Sequence, residues 1–168
     1  MNFKQGDQVV HWAYGLGEVI QLDEKKLLGK TEQYYVVQIN DMTLWVPVTR
    51  EGESSLRLPT PPGEFEELFA ILTAPAQPLL QDRLQRKAQL TNLLRDGSLA
   101  SICMVVRDLT FHLKSKKANE NDPVILERAL NFLLNEWAAS LSITLTEAKQ
   151  GLTRLLGEEL LRPKPAAR

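Results

Sequence analysis

His11–Leu22 reads HWAYGLGEVIQL, two glycines one residue apart beside a histidine, a tryptophan and a tyrosine. The fold turns on whether those glycines cradle a phosphate or bend a sheet. A phosphate loop needs G-x-x-x-x-G-K-[ST], or a third glycine in the dinucleotide fingerprint, and the chain has neither here. Gly17 leads into EVIQL, a strand, so no helix N-terminus with free N–H groups stands ready to receive an anion. Gly15 and Gly17 are therefore read as a turn or bulge joining two strands of a small barrel.

The surrounding sequence agrees. Runs at 8–10, 17–22, 33–39 and 43–48 are rich in Val, Ile, Tyr and Trp and are separated by Gly, Asp and Asn. Four or five short antiparallel strands in about sixty residues imply a small barrel or curled sheet. In YYVVQI, strand alternation puts Tyr34, Val36 and Gln38 on one face and Tyr35, Val37 and Ile39 on the other, the better core candidate. Leu44 and Trp45 likewise point to opposite faces. If Leu44 is inside, Trp45 is exposed and free to anchor a partner.

After PTPPGE the period changes to that of a helix. Phe65, Leu68, Phe69 and Leu72 predict a short helix over 64–72, and the two prolines of TAPAQP make 73–78 a linker. Beyond it, Leu80, Leu84, Leu90, Leu93 and Leu94 mark a helix that ends at Asp96-Gly97, with the glycine in the left-handed C′ position. Leu99, Ile102, Cys103, Val106, Leu109 and Leu113 mark the next. Asp122-Pro123 opens a third, carrying Leu126, Leu130, Leu133, Leu134, Trp137 and Leu141. Thr144-x-x-Glu147 fits a capping box for a fourth. The reading is thus α+β: an N-terminal domain over 1–72, a linker over 73–78, an all-α domain over 79–161 and a disordered tail over 162–168.

Composition narrows the function. Hydrophobic residues at 43% and charged residues at 24% suit a globular protein with a packed core. Apolar runs are too short to span a bilayer and the start MNFKQGDQVV is not a signal peptide, so the chain is expected in the cytoplasm and off the membrane. The single cysteine, Cys103, excludes an internal disulfide and a cysteine zinc site, and its place on an apolar helix face reads as core. His11 and His112, a hundred residues apart, lack carboxylates at metal-ligand spacing, and no acid/base pair or nucleophile constellation emerges, so neither metal, cofactor nor enzymatic activity is expected. Glu64, Glu66 and Glu67 are the acidic start of a helix. A net charge of −1 hides an asymmetry: residues 1–78 hold 6 Lys and Arg against 11 Asp and Glu, the remainder 14 against 10. In the basic half, Arg83, Arg86 and Lys87 group on the first turns of one helix, with Arg83 and Lys87 four apart, which suits either a solvated face or an acidic partner such as phosphate.

These motifs, taken in order, converge on a family. FKQGDQVVHWAYGLGEVIQL, EQYYVVQI, TLWVPV, the Leu-Arg of SSLRLP, DGSLASICMVVRDL and SLSITLTEAKQGLTRLLGEEL resemble the CarD/CdnL transcriptional regulators, whose N-terminal module is shared with the transcription-repair coupling factor. The resemblance implies a Tudor-like β-barrel that binds the RNA polymerase β subunit through an exposed strand, and a helical domain that approaches promoter DNA at the upstream edge of the transcription bubble. Matching motifs puts the polymerase contact on Lys25 and Trp45, with Lys26, Val46 and Pro47 beside them, and a DNA-facing position on Arg83, which with the basic Arg86 and Lys87 makes the expected DNA contact; the chain is expected to be a monomer. Two positions depart from the family. Trp45 stands where a basic residue is common, and Arg83 where many members place a tryptophan wedge. The competing expectation is an adaptor whose helical domain docks a second protein. A helicase is excluded because the P-loop is absent.

Overall fold

Alternating β-branched and aromatic residues do form strands. The computed structural model, which describes residues 2–49, 54–115 and 121–157, divides the chain into two compact units, Met1–Pro59 and Thr60–Arg168. In the first, β1 (Gln8–His11), β2 (Gly15–Leu27), β3 (Lys30–Ile39), β4 (Met42–Pro47) and β5 (Leu56–Arg57) form one antiparallel sheet in the order β4-β3-β2-β1-β5. This corrects the expected barrel: β4 and β5 lie at opposite edges and do not pair, so the sheet stays open. The physical reason is that β5 spans two residues, both paired to β1, and offers too little strand to close the ladder.

The core of this unit is Phe3, Val9, Val19, Tyr35, Val37, Ile39, Val46 and Leu56, with Phe3 edge-on to Tyr35 at 5.4 Å between centroids. The Tyr35 face is thus the core face, although Val36 on the opposite face is buried too. Gly15 has φ +90°, a left-handed conformation that glycine adopts without strain. At Gly17 the constraint is space: a Cβ would stand 2.5 Å from Ile39 Cγ1 and 2.6 Å from the Gln38 carbonyl oxygen. The GLG motif is therefore a turn followed by a close strand crossing. Two residues on, the register slips. Val19 pairs with Val37 but Gln21 with Val36, leaving Ile20 as a β-bulge.

The second unit contains α1 (Phe65–Thr73), α2 (Arg83–Arg95), α3 (Leu99–Ser115), α4 (Asn121–Ser140) and α5 (Leu145–Leu156), after a short 3-10 turn at Pro62–Glu64. Helix α1 is not part of the N-terminal domain, contrary to expectation: its buried residues Phe65, Leu68 and Leu72 join the helical core and it packs on α3 and α5. The unit boundary falls at Pro59/Thr60 instead. Residues 73–78 do not behave as a free linker either, since the Gln77 N–H donates to Asp108 Oδ1 at 2.9 Å and Leu79 is buried. Asp82 caps α2, accepting from the Leu84 and Gln85 N–H groups, so Leu80 precedes the helix rather than belonging to it. Gly97, φ +75°, follows α2 as expected.

The capping box of α5 is present: the Glu147 N–H donates to Thr144 Oγ1 at 3.1 Å and the Thr144 N–H to Glu147 Oε2 at 2.8 Å. The Thr144 backbone N–H, and after it the Thr144 side chain, hold the Glu147 carboxyl below its usual pKa. Trp137 packs against Phe65 and Phe69, and Gly151 makes room for it, since a Cβ there would meet Trp137 Cζ2 at 2.9 Å. Cys103 is fully buried, and burial pushes its thiol up to about 12, which keeps it protonated and unreactive. The expected disordered tail, 162–168, and the end of the helical domain at 158–161 lie outside the described residues.

Candidate functional site

Two surfaces carry the residues singled out from the sequence. The first is the β4 edge, which among the described residues has β3 as its only sheet neighbour. The phase of the ladder is set by the Val48 N–H, which donates to the Gln33 carbonyl at 2.9 Å. Antiparallel pairs alternate, so Val46, Leu44 and Met42 bond inward to β3, while Thr43 and Trp45 turn their N–H and C=O outward. Pro47, having no N–H, adds only a carbonyl and ends the donor row. This edge offers a short set of backbone groups to an added strand.

Trp45 lies on the face away from the core and is 41% exposed. The Lys25 ammonium sits 3.6 Å from its ring centroid, a cation–π contact from β2 across β3. The bulge at Ile20 is what makes the contact possible. Without that extra residue, the odd-numbered residues of β2 beyond it would stay on the core face with Val19. With it, Lys25 pairs with Glu32 and shares the face of Tyr34, Val36 and Trp45. On the same face the Tyr34 hydroxyl donates to Glu32 Oε2 at 2.9 Å, which raises the Tyr34 pKa.

The remaining assigned residues divide. Lys26 is exposed but points to the other face and does not join the pair. Val46 is buried in the core, so its side chain is closed to a partner, whereas Pro47 is exposed.

The second surface is the beginning of α2. Arg83 and Lys87 are exposed there, near the positive end of the helix dipole, and together they favour an anion. Arg86 is not on this surface. It is 5% exposed, with its guanidinium on the Asp122 carboxylate at 3.1 Å, and cannot reach a ligand there. The sequence carried the signal, since Arg86, Leu90 and Leu94 repeat at intervals of four and share the buried face. Leu84, a core residue by its apolar type, is instead a surface residue that sequence reasoning misses. It is 71% exposed, out of phase with that row, between the two exposed cations of the first turns.

His11 accepts from the Ala13 N–H through Nδ1 at 3.1 Å, which leaves the neutral ring's proton on Nε2, and burial lowers its pKa. It braces the turn between Trp12 and Tyr14, whose rings lie 6.0 Å and 5.1 Å away. Among the described residues, no three His, Cys, Asp or Glu side chains gather as metal ligands. No described helix is long and apolar enough to cross a membrane.

Comparison with known proteins matches both units. Residues 3–57 fit the family model described as the CarD-like/TRCF RID domain, and residues 67–153 that described as the CarD C-terminal domain. A protein of Bacillus subtilis (strain 168) named "Putative transcription factor YdeB" is 28% identical over 149 residues, which cover 88% of this chain and 97% of that protein.

Proposed function

This chain belongs to the CarD family, whose members are transcription factors rather than enzymes and whose N-terminal module is an RNA polymerase-interacting domain, and we propose that it binds the polymerase β subunit through the β4 edge and promoter DNA through α2. The free edge with Trp45 held under Lys25 is the observation that carries the first half. A partner strand hydrogen-bonds to the outward groups of Thr43 and Trp45, and the indole supplies an aromatic anchor beside them. Trp45 takes over the role of the basic residue common at this position in the family, with Lys25 supplying the charge.

On α2, Arg83 and Lys87 hold phosphates while Leu84 presents the apolar surface that an arginine at 83 lacks. Contacts made to melted DNA but not to the closed duplex shift the promoter toward the open complex, without any catalysis by this chain. A second reading has its own support: Leu80, 46% exposed, stands in the segment leading to Leu84, and two exposed leucines also suit a protein groove.

The test is binding of the full chain to a purified β-lobe fragment, then open-complex lifetimes on a promoter. Trp45→Ala is expected to cost about 2 kcal/mol of polymerase affinity, the size of an aromatic hot spot. Leu84→Ala and Arg83→Ala/Lys87→Ala leave that affinity intact and shorten the open complex. No β-lobe binding by the folded chain overturns the polymerase contact; unchanged lifetimes with no crosslink from 83–87 to DNA favour the adaptor.

A further inference from the structure

Arg86 looks like a third cation on α2, yet its donors all turn inward. Nε bonds Asp122 Oδ1 and Oδ2 at 3.2 and 3.3 Å, and Nη2 bonds Oδ2 at 3.1 Å. Nη1 donates to the carbonyls of Leu80 and Gln81, each at 2.9 Å. Asp122, 1% exposed, sits in the first turn of α4, where the helix dipole favours a carboxylate. His112 Nε2, from the last turn of α3, stands 4.0 Å from Asp122 Oδ2. One buried guanidinium therefore ties together α2, the chain leading into it and the start of α4, beside the end of α3.

From this geometry we infer that Arg86 and Asp122 are positioning residues: without touching a ligand, they fix the direction in which α2 presents Arg83, Leu84 and Lys87. The inference rests on the reading of that surface as the DNA-facing one. Gln81 immediately precedes the N-cap Asp82, whose Oδ1 receives the Leu84 and Gln85 N–H groups. Holding the Gln81 carbonyl thus sets where the cap stands and where the first turn begins. Leu79, buried just upstream, and Gln89, whose Oε1 accepts from the Leu80 N–H at 3.2 Å, secure the same segment. A lysine cannot substitute, because the planar fork reaches a carboxylate and two carbonyls in fixed directions and an ammonium does not.

The test uses the full chain with three changes. Arg86→Met/Asp122→Leu removes both charges and strands neither; Arg86→Lys keeps the charge without the fork; Arg83→Ala/Lys87→Ala removes the presented cations. Amide hydrogen exchange at 84–86 is expected to quicken about tenfold or more in the first two, while amides at 105–109 in α3 keep their rates. The effect on open-complex lifetime should fall about two- to thirtyfold in both, with β-lobe affinity unchanged. Unaltered exchange at 84–86 with the promoter effect retained overturns the inference. So does exchange that quickens equally through the whole helical unit, since that marks a role in stability alone. Should Arg83→Ala/Lys87→Ala leave promoter complexes untouched, the DNA reading fails, and exchange at 84–86 still decides the positioning role.

Discussion

The sheet unit and the helical unit treat charge in opposite ways. Every charged residue among the described positions of the sheet stays out of its core, whereas the helical unit buries Arg86, Asp108, Asp122 and Glu136. Each cluster of that buried charge holds connecting chain. Glu136 Oε1 accepts from the Thr60 N–H at 2.9 Å and from its hydroxyl at 2.8 Å; Asp108 holds Gln77; Arg86, paired with Asp122, holds Leu80 and Gln81. A sheet sets its register through the backbone ladder and side-chain alternation, so its core can be wholly apolar. Helices meet through apolar contacts with little directional preference, and the segments between them need specific fasteners.

Each unit should accordingly be most fragile at a different kind of point. Asp122→Ala leaves the Arg86 guanidinium buried without its counterion, and should lower the stability of the helical unit by about 3–5 kcal/mol in a urea titration. A loss under about 1 kcal/mol, the range of an exposed ion pair, would show the fasteners to be incidental. In the sheet the vulnerable point is steric. Gly17→Ala drives a methyl into Ile39 and the Gln38 carbonyl, and should cost about 1–3 kcal/mol, read from the unfolding of the sheet alone. An unchanged midpoint would mean that β3 gives way there. Thr144→Ala removes one half of the α5 box and should cost about 1 kcal/mol in thermal unfolding.

The smallest effect separates the units by pH. Burial lowers the His11 pKa, so below the ordinary 6.5 the unfolded chain takes up a proton that the folded sheet resists, and sheet stability declines as pH falls. Glu147 is shifted down as a carboxylate, so its contribution is intact above the ordinary 4.5 and is lost only as pH falls further, through its folded value. His11→Gln should flatten the first decline and Glu147→Gln the second, each without touching the other. Identical pH profiles for the two variants would refute this division.

Much of this is legible in the sequence, and the failures have physical causes. Strand alternation locates the Tyr35 core face, and cap chemistry locates the start of α5, because these rules act over a few residues; Asp122, read as the cap of α4, instead lies inside its first turn with its carboxylate on Arg86. Whether the sheet closes depends on the pairing of distant edges, which local pattern does not encode. Helix α1 goes to the wrong unit when read from sequence because its apolar stripe announces burial without naming what buries it. Lys25 and Trp45 are singled out separately by family resemblance. Their contact depends on one extra residue at Ile20, invisible in a sequence read by strict alternation. Arg86 reads as a surface cation on residue type alone, while its phase with Leu90 and Leu94 points inward.

Cys103 gives the helical unit a built-in clock. Its sulfur lies in the packed centre of that unit and holds its proton up to about pH 12, so a disulfide-exchange reagent reacts only with molecules whose helices have come apart. The chain holds no other cysteine. With reagent concentrated enough that reaction outpaces reclosing, the rate at which colour develops therefore times the opening of that unit alone, in the unmodified protein, and reads the same with or without a partner strand on the sheet unless the partner steadies the helices as well.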